Sequence, residues 1–330
     1  MLFPGRIHLD DLKPKLTLAW AVSLTCVVVY FFCLLAFDPW PSSQLIKNFK
    51  DKGFPETLAS MYEQTLDPIE LRTYQNKSGE TEKLFLAIRD MRFWHRLDHF
   101  PFHGDQIRIA TNKKIMKLIE DEYLNSSQYQ FGLGASTGSP WNWITYQFTH
   151  ANLIHLLGNV IFLFMIIAYL ETFLSSAWII VVYLFGGFAG GISFLWLESS
   201  GDFSVVGASG AVCSLMAFLM VVKKNEPMPW IYLLAPIQNP TQKGFGEIYL
   251  PAYLIFPIYL LADFLSVLWQ QNTLSSSVAH TAHIGGALMG MFLGLNYLGL
   301  TELRSRNILF RSEIGGKSSS HRVFSDHNGL

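Results

Sequence analysis

Six separate stretches of this chain are apolar over about the length needed to cross a lipid bilayer, and that limits the available folds more than any other feature. The first, residues 16–36, exceeds the apolar segment of a signal peptide and has no small-residue cleavage site, so it reads as a retained helix. The others lie at 153–170, 177–197, 205–222, 249–269 and 278–300. Composition agrees. Half of the residues are hydrophobic, 15% are charged and mean hydropathy is +0.27, which is too apolar for an ordinary soluble domain. The expected fold class is therefore all-α, a polytopic membrane bundle of six transmembrane helices.

Cationic residues orient the helices. Arg6, Lys13 and Lys15 precede the first, Lys223 and Lys224 follow the fourth, and Arg304, Arg306 and Arg311 follow the sixth. The connections at 198–204 and 270–277 contain no Lys or Arg. Positive loops stay inside, so both termini are expected in the cytoplasm and the chain in a bacterial inner (plasma) membrane. The resulting division is a cytoplasmic N-terminus at 1–15, helix one at 16–37, an outer-face insertion at 38–140, a core of helices two to six at 141–300, and a flexible cytoplasmic tail at 301–330. A net charge of −1 offers no basic face for nucleic acid. Cys26, Cys33 and Cys213 all fall in apolar runs and imply no disulfide framework.

The insertion holds most of the charge. Short amphipathic helices are expected at 42–50 and 105–123, the second carrying Ile107, Ile109, Ile115, Leu118 and Ile119 at helical spacing and lying on the outer leaflet. The insertion is expected on the outer side, governing access more than chemistry, because it is long and charged and carries no nucleophile and base matched to a membrane site. His95, His99 and His103 have spacing compatible with a metal, but H-E-x-x-H is missing and Pro101 interrupts the helix. A solvated cluster is the reading, and neither a metal nor an organic cofactor is required.

Polar side chains in a spanning helix are costly, so each is a candidate functional group. Ser209, about four residues into the fourth run, and His283, about five into the sixth, enter from the same face. At a rise of about 1.5 Å per residue both lie roughly 6–8 Å deep. They can meet. His155 and Asn159, spaced i, i+4, share one face near the outer start of helix two. Gly286, Gly290 and Gly294 form a small-residue stripe on helix six, and Gly210, Ser214 and Ala217 form another on helix four, along which the two should pack. An imidazole beside a serine hydroxyl makes a nucleophile and its base. The Ser209 backbone N–H, the Asn159 amide and the His155 ring could serve the oxyanion. No Asp or Glu is placed to orient His283, which gives a dyad.

Gly207-Ala208-Ser209-Gly210, His155-x-x-x-Asn159 and Ala282-His283-Ile284-Gly285-Gly286, in order on separate spanning runs, resemble the rhomboid family of intramembrane serine proteases. The resemblance covers about 141–300 and includes Glu171 closing helix two. It implies a six-helix fold with Ser209 as nucleophile, His283 as general base, and His155 and Asn159 at the oxyanion, acting on transmembrane or membrane-anchored proteins. Two departures stand out. Cys213 occupies a position where members often carry an aromatic that stacks on the histidine, and the Trp-Arg dipeptide of many bacterial first loops is missing. The rival reading is a non-catalytic relative that binds or sorts transmembrane clients.

Overall fold

The computed structural model describes residues 2–4, 17–37, 53–77, 79–134, 139–197, 204–233, 245–254, 256, 257, 261 and 279–320. Helix α1 (Leu18–Ala36) starts where the Thr17 hydroxyl accepts from the Trp20 N–H. Its N–H groups are capped a second time from a distance. The Glu171 carboxylate, just beyond α9 (Leu153–Leu170), accepts from Leu18 N at 2.7 Å and Ala19 N at 3.4 Å, so the ends of the two helices are joined. Free N–H groups in a helix's first turn attract an anion, which explains a carboxylate at this point in an apolar bundle.

Helices α10 (Ser176–Leu197), α11 (Ser209–Val222) and α12 (His280–Ser320) pack together, and α9 packs on α1 and α11. Small residues set their spacing. A Cβ on Gly286 would lie 2.0 Å from the Gly210 carbonyl oxygen, and one on Gly290 would lie 2.0 Å from that of Ser214. The two stripes read from the sequence thus face each other, although Gly294 meets Val221 and Phe218 rather than Ala217. Outward faces are apolar: Leu35, Ile154 and Trp196 are each more than four-fifths exposed. Such a surface suits lipid and not water.

Four helices, α1, α9, α10 and the 280–305 part of α12, are long and apolar enough to span a membrane. Helix α11 is shorter than the run that contains it. Its 14 residues reach about 21 Å, and the preceding 204–208 are not helical. Ser209 is therefore the first helical residue, not the fourth or fifth. Irregular backbone at this depth is stable because its polar groups bond within the protein.

The all-α expectation also fails at one place. Strands β1 (Leu2–Pro4), β2 (Pro227–Leu233) and β3 (Phe245–Pro251) form an antiparallel sheet in that order. Pro227 and Pro229 bar a helix and alternate with buried Trp230, whose indole donates to Leu250 O. Because β3 runs to Pro251, the helix expected from 249 has helical residues only at 252–254, 256, 257 and 261, and the rest of that run lies outside the described residues. The helix expected at 42–50 also lies outside them. The tail expected to be flexible from 301 continues α12 to Ser320, where Leu, Glu and Arg favour helix.

The insertion has its own core. Helices α2 (Phe54–Glu63), α3 (Pro68–Gln75), α4 (Glu80–Arg89), α5 (Met91–Arg96), α6 (Gln106–Leu124) and α7 (Ser127–Phe131), which precede the short α8 (Asn142–Thr145), are mostly capped by acidic or hydroxyl side chains, with a capping box of Asp67 and Glu70 on α3 and Asp105 on α6. Leu58, Phe93, Trp94, Met116, Ile119 and Tyr123 fill the centre. Buried Asp90 accepts from the Tyr62 hydroxyl and from Arg92, which also reaches Glu70. On α6 Ile109 and Ile119 face inward, whereas Ile107 and Leu118 are exposed. The core side of α6 runs through Ile109, Asn112, Met116, Ile119 and Tyr123, so the buried Asn112, bonded to Phe54 O, lies on a face that the apolar pattern did not give it.

Candidate active site

The segment 204–208 descends between the insertion and the bundle before α11 begins. Val205 and Leu133 exchange two backbone hydrogen bonds, at 3.0 and 2.8 Å, and Gly207 N donates to Tyr146 O at 2.8 Å. Gly207 has φ +127°, which only glycine adopts without strain. A side chain there would also collide. A Cβ would lie 2.8 Å from both Cε1 and Nε2 of His155 and 3.9 Å from the Asn159 amide nitrogen. The backbone two residues before Ser209 therefore rests on the His155 ring and beside the Asn159 amide.

Helix α12 meets the same place from the other side. The Ala282 carbonyl oxygen would lie 3.2 Å from a Cβ on Gly210 and 2.8 Å from one on Gly190. Three helices thus close on two glycines. Ser209 and His283 are the chain neighbours of Gly210 and Ala282, two residues whose backbones touch. His283 and His155 are also near enough for charges on their rings to interact. All four sequence-derived candidates gather around Gly207 and Gly210.

Local contacts hold the histidines and the amide. Asn152 caps α9 by accepting from His155 N at 2.9 Å, which fixes the turn carrying that ring. Asn159, buried, donates from Nδ2 to His155 O at 3.0 Å. His150, buried just before α9, shares a hydrogen bond between Nδ1 and Phe148 O at 3.1 Å and stacks edge-on to His155 at 5.2 Å. Burial, reinforced by the His155 charge, pushes its imidazole down to about 4, so it is neutral at physiological pH. At the place of the missing aromatic, Cys213 is half-buried, and the ring of His280 stands edge-on to His283 at 6.1 Å instead. That contact comes from one turn earlier on the same helix.

The N-terminus of α11 receives no hydrogen bond from the side chain of Ala208, its N-cap residue. Backbone N–H groups of its first turn, Ser209 among them, point toward the junction, a natural seat for developing negative charge. Among the described residues no three of His, Cys, Asp and Glu gather as metal ligands. His95, His99 and His103 belong to the insertion and not to this site.

The rhomboid-domain family model matches residues 137–299, a span that holds Ser209, His283, His155 and Asn159 and starts after α7. This chain is a rhomboid-family protein. Over 187 residues it is 27% identical to rhomboid protease AarA of Providencia stuartii, covering 52% of this chain and 59% of that one. With rhomboid-related protein 1 of Caenorhabditis elegans it shares 28% over 163 residues, 48% and 40% of the two chains. With YdcA of Bacillus subtilis (strain 168) it shares 35% over 98 residues, 29% and 49%. The chain thus spans between two-fifths and three-fifths of these relatives' lengths. In this rhomboid protein the helices of the insertion lie outside the family match, and with them lies a site contact that no motif announces. Tyr123, 81 residues away in sequence, holds Ser204.

Proposed function

We propose that this multi-pass membrane protein is an intramembrane serine endopeptidase that cuts transmembrane or membrane-anchored proteins. The observation that carries this is the contact of Gly210 with Ala282, which brings the neighbours of a serine and a histidine together inside an apolar bundle. In the mechanism His283 takes the proton of the Ser209 hydroxyl as its oxygen attacks the scissile carbonyl. The tetrahedral oxyanion is held by Ser209 N–H, Asn159 and His155. His283 then protonates the leaving amine, and water, deprotonated by the same imidazole, releases the acyl group from Ser209.

A helix hides its carbonyls in hydrogen bonds, so substrates carry Gly, Pro or other helix-weakening residues near the cut. The charge asymmetry of the loops supports an active site opening to the outer face, with both termini in the cytoplasm. The test is labelling of the purified protein by a fluorophosphonate probe, together with cleavage of a single-span substrate. Ser209→Ala should lose both, and His283→Ala should lose cleavage while remaining folded. Substantial cleavage by Ser209→Ala would end the serine-protease reading.

A further inference from the structure

We infer that the insertion takes part in the chemistry through Tyr123, a positioning residue that fixes the depth and direction of Ser209; this rests on the serine-protease reading above. Tyr123 is fully buried in the last turn of α6, edge-on to Trp94 at 5.9 Å and Tyr129 at 5.4 Å, with Ile119 one turn earlier in the same core. Its ring is rigid. Its hydroxyl leaves that core to accept from Ser204 N at 2.7 Å and to bond Ser204 Oγ at 3.0 Å. Ser204 also fits against glycines at the far end of the insertion: a Cβ on Gly132 would lie 2.6 Å from Ser204 Cβ, and one on Gly134 3.1 Å from its Oγ.

Four residues, 205–208, separate this anchor from Ser209, and the Leu133–Val205 pair and the Gly207–Tyr146 bond lie between. An extended segment with a positive φ at Gly207 has no internal hydrogen-bond ladder to hold its shape. Its position therefore comes from what it touches, and at Ser204 that is the insertion. Loosening the anchor lets 204–208 shift and α11 fray, and Ser209 moves with them. Catalysis responds steeply to errors of this kind, since a 1 Å misplacement can cost about 100-fold.

Tyr123→Phe keeps the ring in its core and removes both bonds. Ser204→Ala removes only the hydroxyl bond and keeps the one to Ser204 N. A hydrogen bond of ordinary strength corresponds to about a 2- to 10-fold effect. Fluorophosphonate labelling of Ser209 in the full-length protein should slow by about that factor in Ser204→Ala and by more in Tyr123→Phe. Adding Ser204→Ala to Tyr123→Phe should cost nothing further. On a single-span substrate kcat should fall while KM holds, and backbone amide exchange should rise at 204–207 with the melting temperature of the bundle nearly unchanged.

A Tyr123→Phe protein that labels at the wild-type rate, with unaltered exchange at 204–207, overturns the inference and leaves the protease reading intact. A rise in KM alone would overturn it in favour of an access role. Wild-type protein that never labels at Ser209 overturns the protease reading, and the inference falls with it. Should Tyr123→Phe fail to fold, Ser204→Ala decides alone, by the same labelling rate and exchange.

Discussion

Gly286→Ala measures how finely the helix junction sets the reacting groups. The new methyl carbon would stand 2.0 Å from Gly210 O, 2.8 Å from its carbonyl carbon and 3.2 Å from its Cα. These are backbone atoms, so no side chain can swing aside. Restoring even a 3.0 Å approach needs about 1 Å of separation between α11 and α12, at the level where Ser209 and His283 flank the contact. A displacement of that size lowers kcat by about 100-fold, and overpacking costs about 1–3 kcal/mol of stability. Gly299→Ala is the control, because nothing lies within 4 Å of its added carbon. The assay is single-turnover cleavage of a single-span substrate in detergent, with a melting curve for each variant. Wild-type kcat in folded Gly286→Ala would refute the argument that this close approach sets the distance between nucleophile and base.

Asn159→Ala should lower turnover by about 100- to 1,000-fold with little change in substrate binding, and a sharp loss of thermal stability with turnover intact would assign Asn159 to packing alone. His150 makes the fold acid-sensitive: its folded value of about 4 lies below the ordinary 6.5, so the unfolded chain binds more protons in acid. Its contribution is complete above about 6.5 and disappears as pH falls through 4, a loss of about 3 kcal/mol. His150→Asn should therefore flatten the stability–pH curve between those values, and an unchanged slope would place the sensitivity elsewhere. Lys114→Cys, exposed on α6, should react with a membrane-impermeant thiol reagent outside intact cells, and labelling only after lysis would invert the topology.

Two helices were legible from hydropathy alone. Leu153–Leu170 has the bounds that its apolar run gives, and 177–197 differs by one residue, because lipid favours helix in a run of that length and composition. Hydropathy cannot tell a buried extended segment from a buried helix, so the fourth run gave α11 a start at 205 although its helix begins at Ser209. The strand Pro227–Leu233 went unread for a related reason. Its partners are β1, more than 200 residues earlier, and β3, and neither local period nor charge reports a pairing of that kind.

Spacing within single helices determined the candidates themselves: His155 with Asn159 on one turn, Ser209 beside Gly210, and glycines every four residues toward His283. Those are short-range facts, written in residue type and period. Tertiary structure decided which backbones touch, that Gly207 lies on the His155 ring, and that His280 stands edge-on to His283 where an aromatic was missing. It alone joined Tyr123 to Ser204, because a hydrogen bond across 81 residues depends on where two separate cores dock, and docking leaves no period in the chain.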